Sequence, residues 1–157
     1  MEAAARARFF KLLEKDIQQS HIRTNLVPPQ DETGETLRAM LPVTDEGDPS
    51  LMEIMAVSFE EDADVLLFYT TMIGKIGPGY EKLLDVLPRW NLECPLGAYG
   101  VYDNQGMKQL YHKYNILFDP EIDPKELEEN AMFHLTVLYE IISGKYEEAR
   151  GISDGKA

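Results

Sequence analysis

The run Val65–Ile73 reads VLLFYTTMI, a string of β-branched, aromatic and aliphatic side chains bounded by EEDAD before it and GKIGPG after it. β-Branched and aromatic residues suit a pleated, half-buried surface. A helical membrane span needs about 20 apolar residues, so this run is too short for one. It therefore predicts a strand, and a lone strand is not stable. Neighbours precede it. In Thr36–Val43, Leu37, Ala39, Leu41 and Val43 alternate with Thr36, Arg38 and Met40, the two-residue period of a strand with one buried face. In Leu51–Glu60, Met55, Val57 and Phe59 lie on one face and Ile54 and Ala56 on the other. That pattern predicts a central strand covered on both sides. DEGDPS (Asp45–Ser50) and EEDAD (Glu60–Asp64) read as the connecting turns.

Helices flank these strands. Ala3–Gln19 is rich in helix formers, with Phe10, Leu13 and Ile17 at helical spacing and Phe9 and Leu12 widening the stripe. Asn25–Gly34, with Pro28 and Pro29, reads as loop, and Gly74–Gly79 as a flexible strand-to-helix hinge. From Tyr80 to Asn91, Tyr80, Leu83, Leu84, Leu87 and Trp90 share one helical face. Pro88 inside that run costs about 3 kcal/mol in a helix interior and predicts a kink or restart.

Leu96–Tyr102 and Met107–Phe118 form a hairpin around Asp103-Asn104-Gln105-Gly106, with Gly106 free to adopt a left-handed turn conformation. Asp123 and Pro124 suit the cap and first position of a last helix carrying Leu127, Ala131, Leu135, Leu138 and Ile142. Residues 1–150 are expected to form one domain and residues 151–157 a disordered tail. Runs of strands between helices, rather than strict alternation, predict an α+β fold in the order αβββαββα, with an antiparallel curved sheet.

Charge narrows the class of partner. The chain has 28 acidic and 15 basic residues, a formal net charge of −13. Phosphate backbones and anionic membranes attract clustered Lys and Arg, so both are poor partners for this chain. The acidity gives solubility or attracts a basic protein. No secretory leader is evident at the start, which predicts a cytoplasmic protein.

At this point the chain resembles a family. The order of elements and the acidity are similar to the type III secretion chaperone fold, and within it to the YbjN family of bacterial regulators. The residues that carry the likeness run from Leu87-Pro88-Arg89-Trp90-Asn91, through the strand Ala98–Tyr102 and the Asp103-Asn104-Gln105-Gly106 turn, to the helix from Asp123. The residue-level likeness covers Val65–Tyr139. Pro88 and the long connection from Ser20 to Thr36 depart from the family pattern. The resemblance implies a homodimeric scaffold without an active site, which holds extended protein segments along apolar surface patches.

The residues themselves offer little catalytic chemistry. Cys94, the only cysteine, follows a helix C-terminus, where the dipole disfavours a thiolate, and sits between Glu93 and Pro95. His21, His112 and His134 stand in no metal-binding spacing. The glycines of GKIGPG have phosphate-loop separation, but Tyr80 stands where the lysine belongs and Pro78 removes an amide. The acidic turns lack the ligand spacing of a calcium loop. No catalytic residue, cofactor or metal site is assigned. An enzyme alternative would take Asp85 or Glu93 as acid and His112 as base, in a pocket between sheet and second helix.

Aromatic residues crowd the middle of the chain, and the two hairpin strands carry apolar side chains on both faces. Tyrosine and tryptophan are favoured at protein interfaces. Tyr99, Val101, Tyr111, Tyr114 and Trp90 are therefore the candidate interface, for a protein or peptide client and for a second copy of the chain. The resulting expectation is a non-enzymatic, dimeric binding module. The alternative within the binding class is an immunity- or antitoxin-like blocker of a basic protein.

Overall fold

A computed structural model describes residues 1–30, 34–44 and 49–156. These residues form three helices and one six-stranded antiparallel sheet, an α+β fold. The elements are α1 (Ala3–Gln19), β1 (Arg23–Val27), β2 (Thr36–Leu41), β3 (Ser50–Glu60), β4 (Ala63–Ile73), α2 (Tyr80–Glu93), β5 (Ala98–Asn104), β6 (Met107–Phe118) and α3 (Pro124–Ser153). Across the sheet the strands run β1-β2-β3-β4-β6-β5. The turn expected over Asp45–Ser50 lies largely at 45–48, outside the described residues.

The helices pack on one face of the sheet. Phe9, Phe10, Leu13 and Ile17 of α1, and Leu127, Ala131, Leu135, Leu138 and Ile142 of α3, meet Leu37, Ala39, Met52, Ile54, Leu66 and Phe68 in a single core. Each strand residue in that set points the same way. The register aligns Leu37 with Ile54, Ile54 with Phe68 and Phe68 with Tyr114. The alternation in the sequence thus becomes one buried face, because side chains on a strand alternate sides. β3 is central, but helices cover only one of its faces, so the apolar character of Met55 and Val57 has another cause than a second helical layer.

Three expectations are corrected. First, β1 replaces part of the supposed loop. Its Thr24 and Leu26 turn toward α1, where Gln18 Nε2 donates to Thr24 Oγ1 at 2.8 Å and Thr24 Oγ1 donates to Glu14 Oε2 at 3.2 Å. Second, α2 runs unbroken through Pro88. Proline there faces solvent, and burial of Leu83, Leu87 and Trp90 on the opposite face offsets the lost backbone bond. Third, the end of the chain is not a disordered tail through residue 156, because α3 continues to Ser153 and buries Ile152 and Ser153.

That same C-terminal turn immobilises the expected hinge at Gly74–Gly79. The Gly77 amide donates to Ser153 Oγ at 3.0 Å, and the Gly79 amide to the Ser153 carbonyl at 3.0 Å. A Cβ on Gly79 would lie 1.5 Å from the Ile152 carbonyl oxygen. Glycine is required there for close approach, not for flexibility.

At the start of α3, the Asp123 carboxylate accepts from the Lys125 amide at 2.8 Å and the Glu126 amide at 3.4 Å, with Pro124 following it as expected. The β5–β6 hairpin closes on a two-residue turn, Gln105-Gly106, with φ of 53° and 87°. Two positive values match the turn type that follows the natural twist of paired strands. No helix among the described residues is long and apolar enough to cross a membrane.

Candidate functional site

Two places in this fold bring together residues with chemical potential: the junction of α2 and β5, and the sheet face that the helices leave open. At the junction, Cys94 caps α2, its amide bonding to the Trp90 carbonyl at 2.8 Å. The Cys94 thiol donates to the Leu96 carbonyl at 3.1 Å. His112 Nε2 lies 2.8 Å from that same carbonyl and 3.8 Å from the Cys94 sulfur. Fold topology thus unites a cysteine and a histidine that are distant in sequence.

Their geometry is that of a brace. A carbonyl oxygen only accepts, so Nε2 must carry the proton and donate it. The nitrogen facing the thiol has no lone pair with which to take its proton, as a thiol–imidazole pair requires. Burial also lowers the His112 pKa, opposed by the bond to Leu96, so the ring is held neutral. No imidazolium is available to stabilise a thiolate. The adjoining hollow, about 340 Å³, is lined by Glu93, Cys94, Tyr99 and Lys145 among others, but not by His112 or Asp85. Asp85 is exposed on α2. Of the two acids in the enzyme alternative, Glu93 lines this hollow and Asp85 does not, and His112 does not open into it.

The rest of the junction serves packing. Trp90 and Tyr99 meet edge to face at 5.7 Å, and Lys145 Nζ sits 4.8 Å from the Trp90 ring centroid. Asn91 grips the outer edge of β5: its Nδ2 donates to the Tyr99 carbonyl at 3.0 Å, and its Oδ1 accepts from the Tyr99 amide at 2.6 Å. Asn91 thereby takes the two ladder groups that an added strand would pair with at that residue. Burial first, and then Cys94, pushes the Tyr99 phenol well above its usual range.

Two members of the expected interface are consequently misplaced. Trp90 is 1% exposed and Tyr99 5% exposed, so both belong to this chain's own core and offer a partner almost no area. Val101 pairs with Leu110 on the helical side. Tyr114 also faces that side, its hydroxyl hydrogen-bonded to His134 Nδ1 at 3.1 Å over a stacked ring pair. Only Tyr111 points the other way. His21 is exposed just past α1. Among the described residues no three His, Cys, Asp or Glu side chains come together as a metal-ligating group.

Tyr111 belongs to the open face. Four rows of neighbours cross this face in register. Leu51 aligns with Thr71, Tyr111 and Gly100; Glu53 with Tyr69, Lys113 and Ala98; Met55 with Leu67 and Asn115; Val57 with Val65 and Leu117. The last row ends at Leu117, which is 67% exposed. Tyr69 and Tyr111 stack at 5.1 Å between centroids. A Cβ on Gly100 would lie 2.4 Å from the Tyr111 ring, so the missing side chain makes the space that this ring fills. Burial, and then Tyr111 and Glu53, raise the Tyr69 pKa, which keeps the phenol neutral.

Sequence reasoning did not assemble this face. The apolar residues on both sides of Leu51–Glu60 carry its signal, but that pattern equally describes a strand covered on both faces. Neither a family model nor a curated protein matches the chain.

Proposed function

We propose that the protein is a non-enzymatic binding module that works as a homodimer and holds a protein or peptide client on the open face of its sheet. The observation that carries this reading is the uncovered band of Leu51, Met55, Val57, Val65, Leu67, Tyr69, Tyr111 and Leu117. Large contiguous apolar patches are uncommon on monomers and mark interaction sites. Six strands at about 4.8 Å spacing and some seven residues at about 3.4 Å rise make a face of roughly 600–700 Å² in plan. A standard protein interface needs about 800 Å² on each side. Tyr69 and Tyr111, pre-stacked over Gly100, are the rigid aromatic anchors that such interfaces favour. The resemblance to YbjN-like and type III secretion chaperone proteins supports the dimeric and regulatory side of the reading, and a cytoplasmic setting.

A blocker of a basic protein is less well supported, because the open face itself is not acidic. A small enzyme is less well supported because His112 has no free nitrogen toward Cys94.

The test joins two measurements. Light scattering gives the mass in solution, and an environment-sensitive apolar dye reports the exposed patch. The wild type is expected at twice the chain mass. A Tyr111→Ser, Leu117→Ser variant is expected to keep its fold and lose most of the dye signal. A monomer at all concentrations overturns the dimer, and a variant that binds dye like the wild type overturns the open face as the working surface.

A further inference from the structure

Among the described residues, the charge on the open face has the opposite sign to the chain. At the alternating positions from Arg23 to Leu117, the face carries Arg23, Arg38 and Lys113 against Glu53, with Glu60 at the hairpin tip. Three cations against two acids leave +1, in a chain of net −13. Most of the described acidic residues lie elsewhere, on the helices and in turns.

Two hollows deepen this asymmetry. The larger, about 670 Å³, lies where the sheet ends under α3; Leu51, Thr71 and Gln109 line it together with Lys75 and Arg150. The smaller, about 260 Å³, is lined by Arg23, Arg38, Met40 and Leu51. Leu51 borders both, so the hollows adjoin. Glu53 also lines the larger one, but Arg38 Nε already donates to it at 3.2 Å. Arg150 Nε contacts Asp154 at 3.4 Å. Lys75 and Arg23 make no ion pair with any of the described residues.

Resting on the binding reading above, we propose that the client segment is acidic as well as apolar, with carboxylates seated on Lys75 in one hollow and on Arg23 in the next, astride Leu51. Its apolar side chains lie over Tyr69 and Tyr111. Long-range repulsion from the acidic chain does not forbid this, because charges farther apart than about 8 Å are largely screened at physiological salt. Contact charges decide the fit, and like charges facing each other are selected against. Two copies meeting face to face would set these cations against each other, so a second copy is the poorer occupant.

The experiment uses the full chain, isotope-labelled, and three synthetic peptides of about twelve residues, enough to cross the face. One alternates glutamate with leucine and tyrosine; the others replace glutamate by glutamine or by lysine. The acidic peptide is expected to shift the amides of Leu51, Lys75 and Arg150, and to bind about tenfold more tightly than the glutamine peptide at low salt, with the gap closing as salt rises. A Lys75→Glu, Arg23→Glu variant, altered only at exposed positions, is expected to lose that preference with its melting temperature unchanged. Equal or tighter binding of the glutamine or lysine peptide at the same residues overturns the acidic client and leaves the open face as a docking surface. No binding of any peptide at this face overturns both readings.

Discussion

Phe68 and Tyr69 are neighbours on β4, and they live in different worlds. Phe68 is fully enclosed between α1, α3 and the sheet, while Tyr69 stands among partly exposed side chains on the face that no helix covers. One face spends its apolar area on the fold; the other presents apolar area that the fold does not use. The strongest way to break this contrast is to truncate each ring. Phe68→Ala is expected to cost about 4 kcal/mol through lost burial and a residual cavity. Tyr69→Ala is expected to cost about 1 kcal/mol, the value of a cross-strand aromatic contact. In thermal melts that is roughly 12 °C against 3 °C for a chain of this size. Equal losses would mean that the open face is as tightly packed in the working protein as the covered one.

The next test sharpens where the covered layer ends. Gly79→Ala drives a methyl group into the Ile152 carbonyl, with backbone on both sides and no flexible side chain to yield. A loss of about 3 kcal/mol is expected, at the upper end of overpacking. Gly74→Ala, five residues earlier, meets nothing within 4 Å and is expected to stay within about 0.5 kcal/mol of wild type. If both variants melt like the wild type, the last turn of α3 does not close this layer.

The covered face was largely legible in the sequence, because its signal is local. The alternation of Leu37, Ala39 and Leu41, and the helical spacing from Leu127 to Ile142, each point to one buried side without knowledge of the rest. The C-terminal turn was legible too, since Tyr146, Ala149 and Ile152 continue that spacing beyond Gly144. Composition still predicts a tail from residue 151, because the glycines and polar residues of GISDGKA outweigh Ile152. β1 carries little signal of its own; five residues with an Arg and an Asn on one side become a strand only by pairing with β2.

The interaction surface was legible only in part. The stripe ending at Trp90 already pointed inward, yet aromatic content alone suggested an interface. Lys75 and Arg150 are 75 residues apart in sequence, and Cys94 meets His112 only through the β5–β6 pairing. No local pattern encodes such meetings.

The pH dependence of stability probes the covered side without changing its shape. Burial depresses the His112 pKa below its ordinary 6.5. In the unfolded chain the ring takes up a proton near pH 6.5, and in the folded chain it does so only at lower pH. Its contribution is therefore fully present above pH 6.5 and is lost as pH falls toward the folded value. Melting temperature is expected to fall below pH 6.5, and His112→Gln is expected to flatten that slope. Glu128 has the opposite sign, because burial and then Asp16 raise its pKa. Subtracting the two melting curves removes its part. Parallel curves would mean that His112 is not held neutral in the core.

The smallest effect tests what keeps the two faces distinct along the hairpin. A one-residue slip of β5 against β6 would send Tyr99 to solvent and turn Gly100 toward the helices, since the side-chain period is two. The Gln105-Gly106 turn helps to hold the register, but Gln105 adopts a φ of 53°, a region that asparagine enters more readily. Gln105→Asn is expected to stabilise the protein by about 0.5 kcal/mol, read as a melting shift of one or two degrees, with dye binding at the open face unchanged. A stabilised variant with altered dye binding would show that the turn sets the shape of the face as well as its register. A variant with no gain would place the control of register in the Tyr111–Gly100 contact and the grip of Asn91 on Tyr99, at the far end of the same strand.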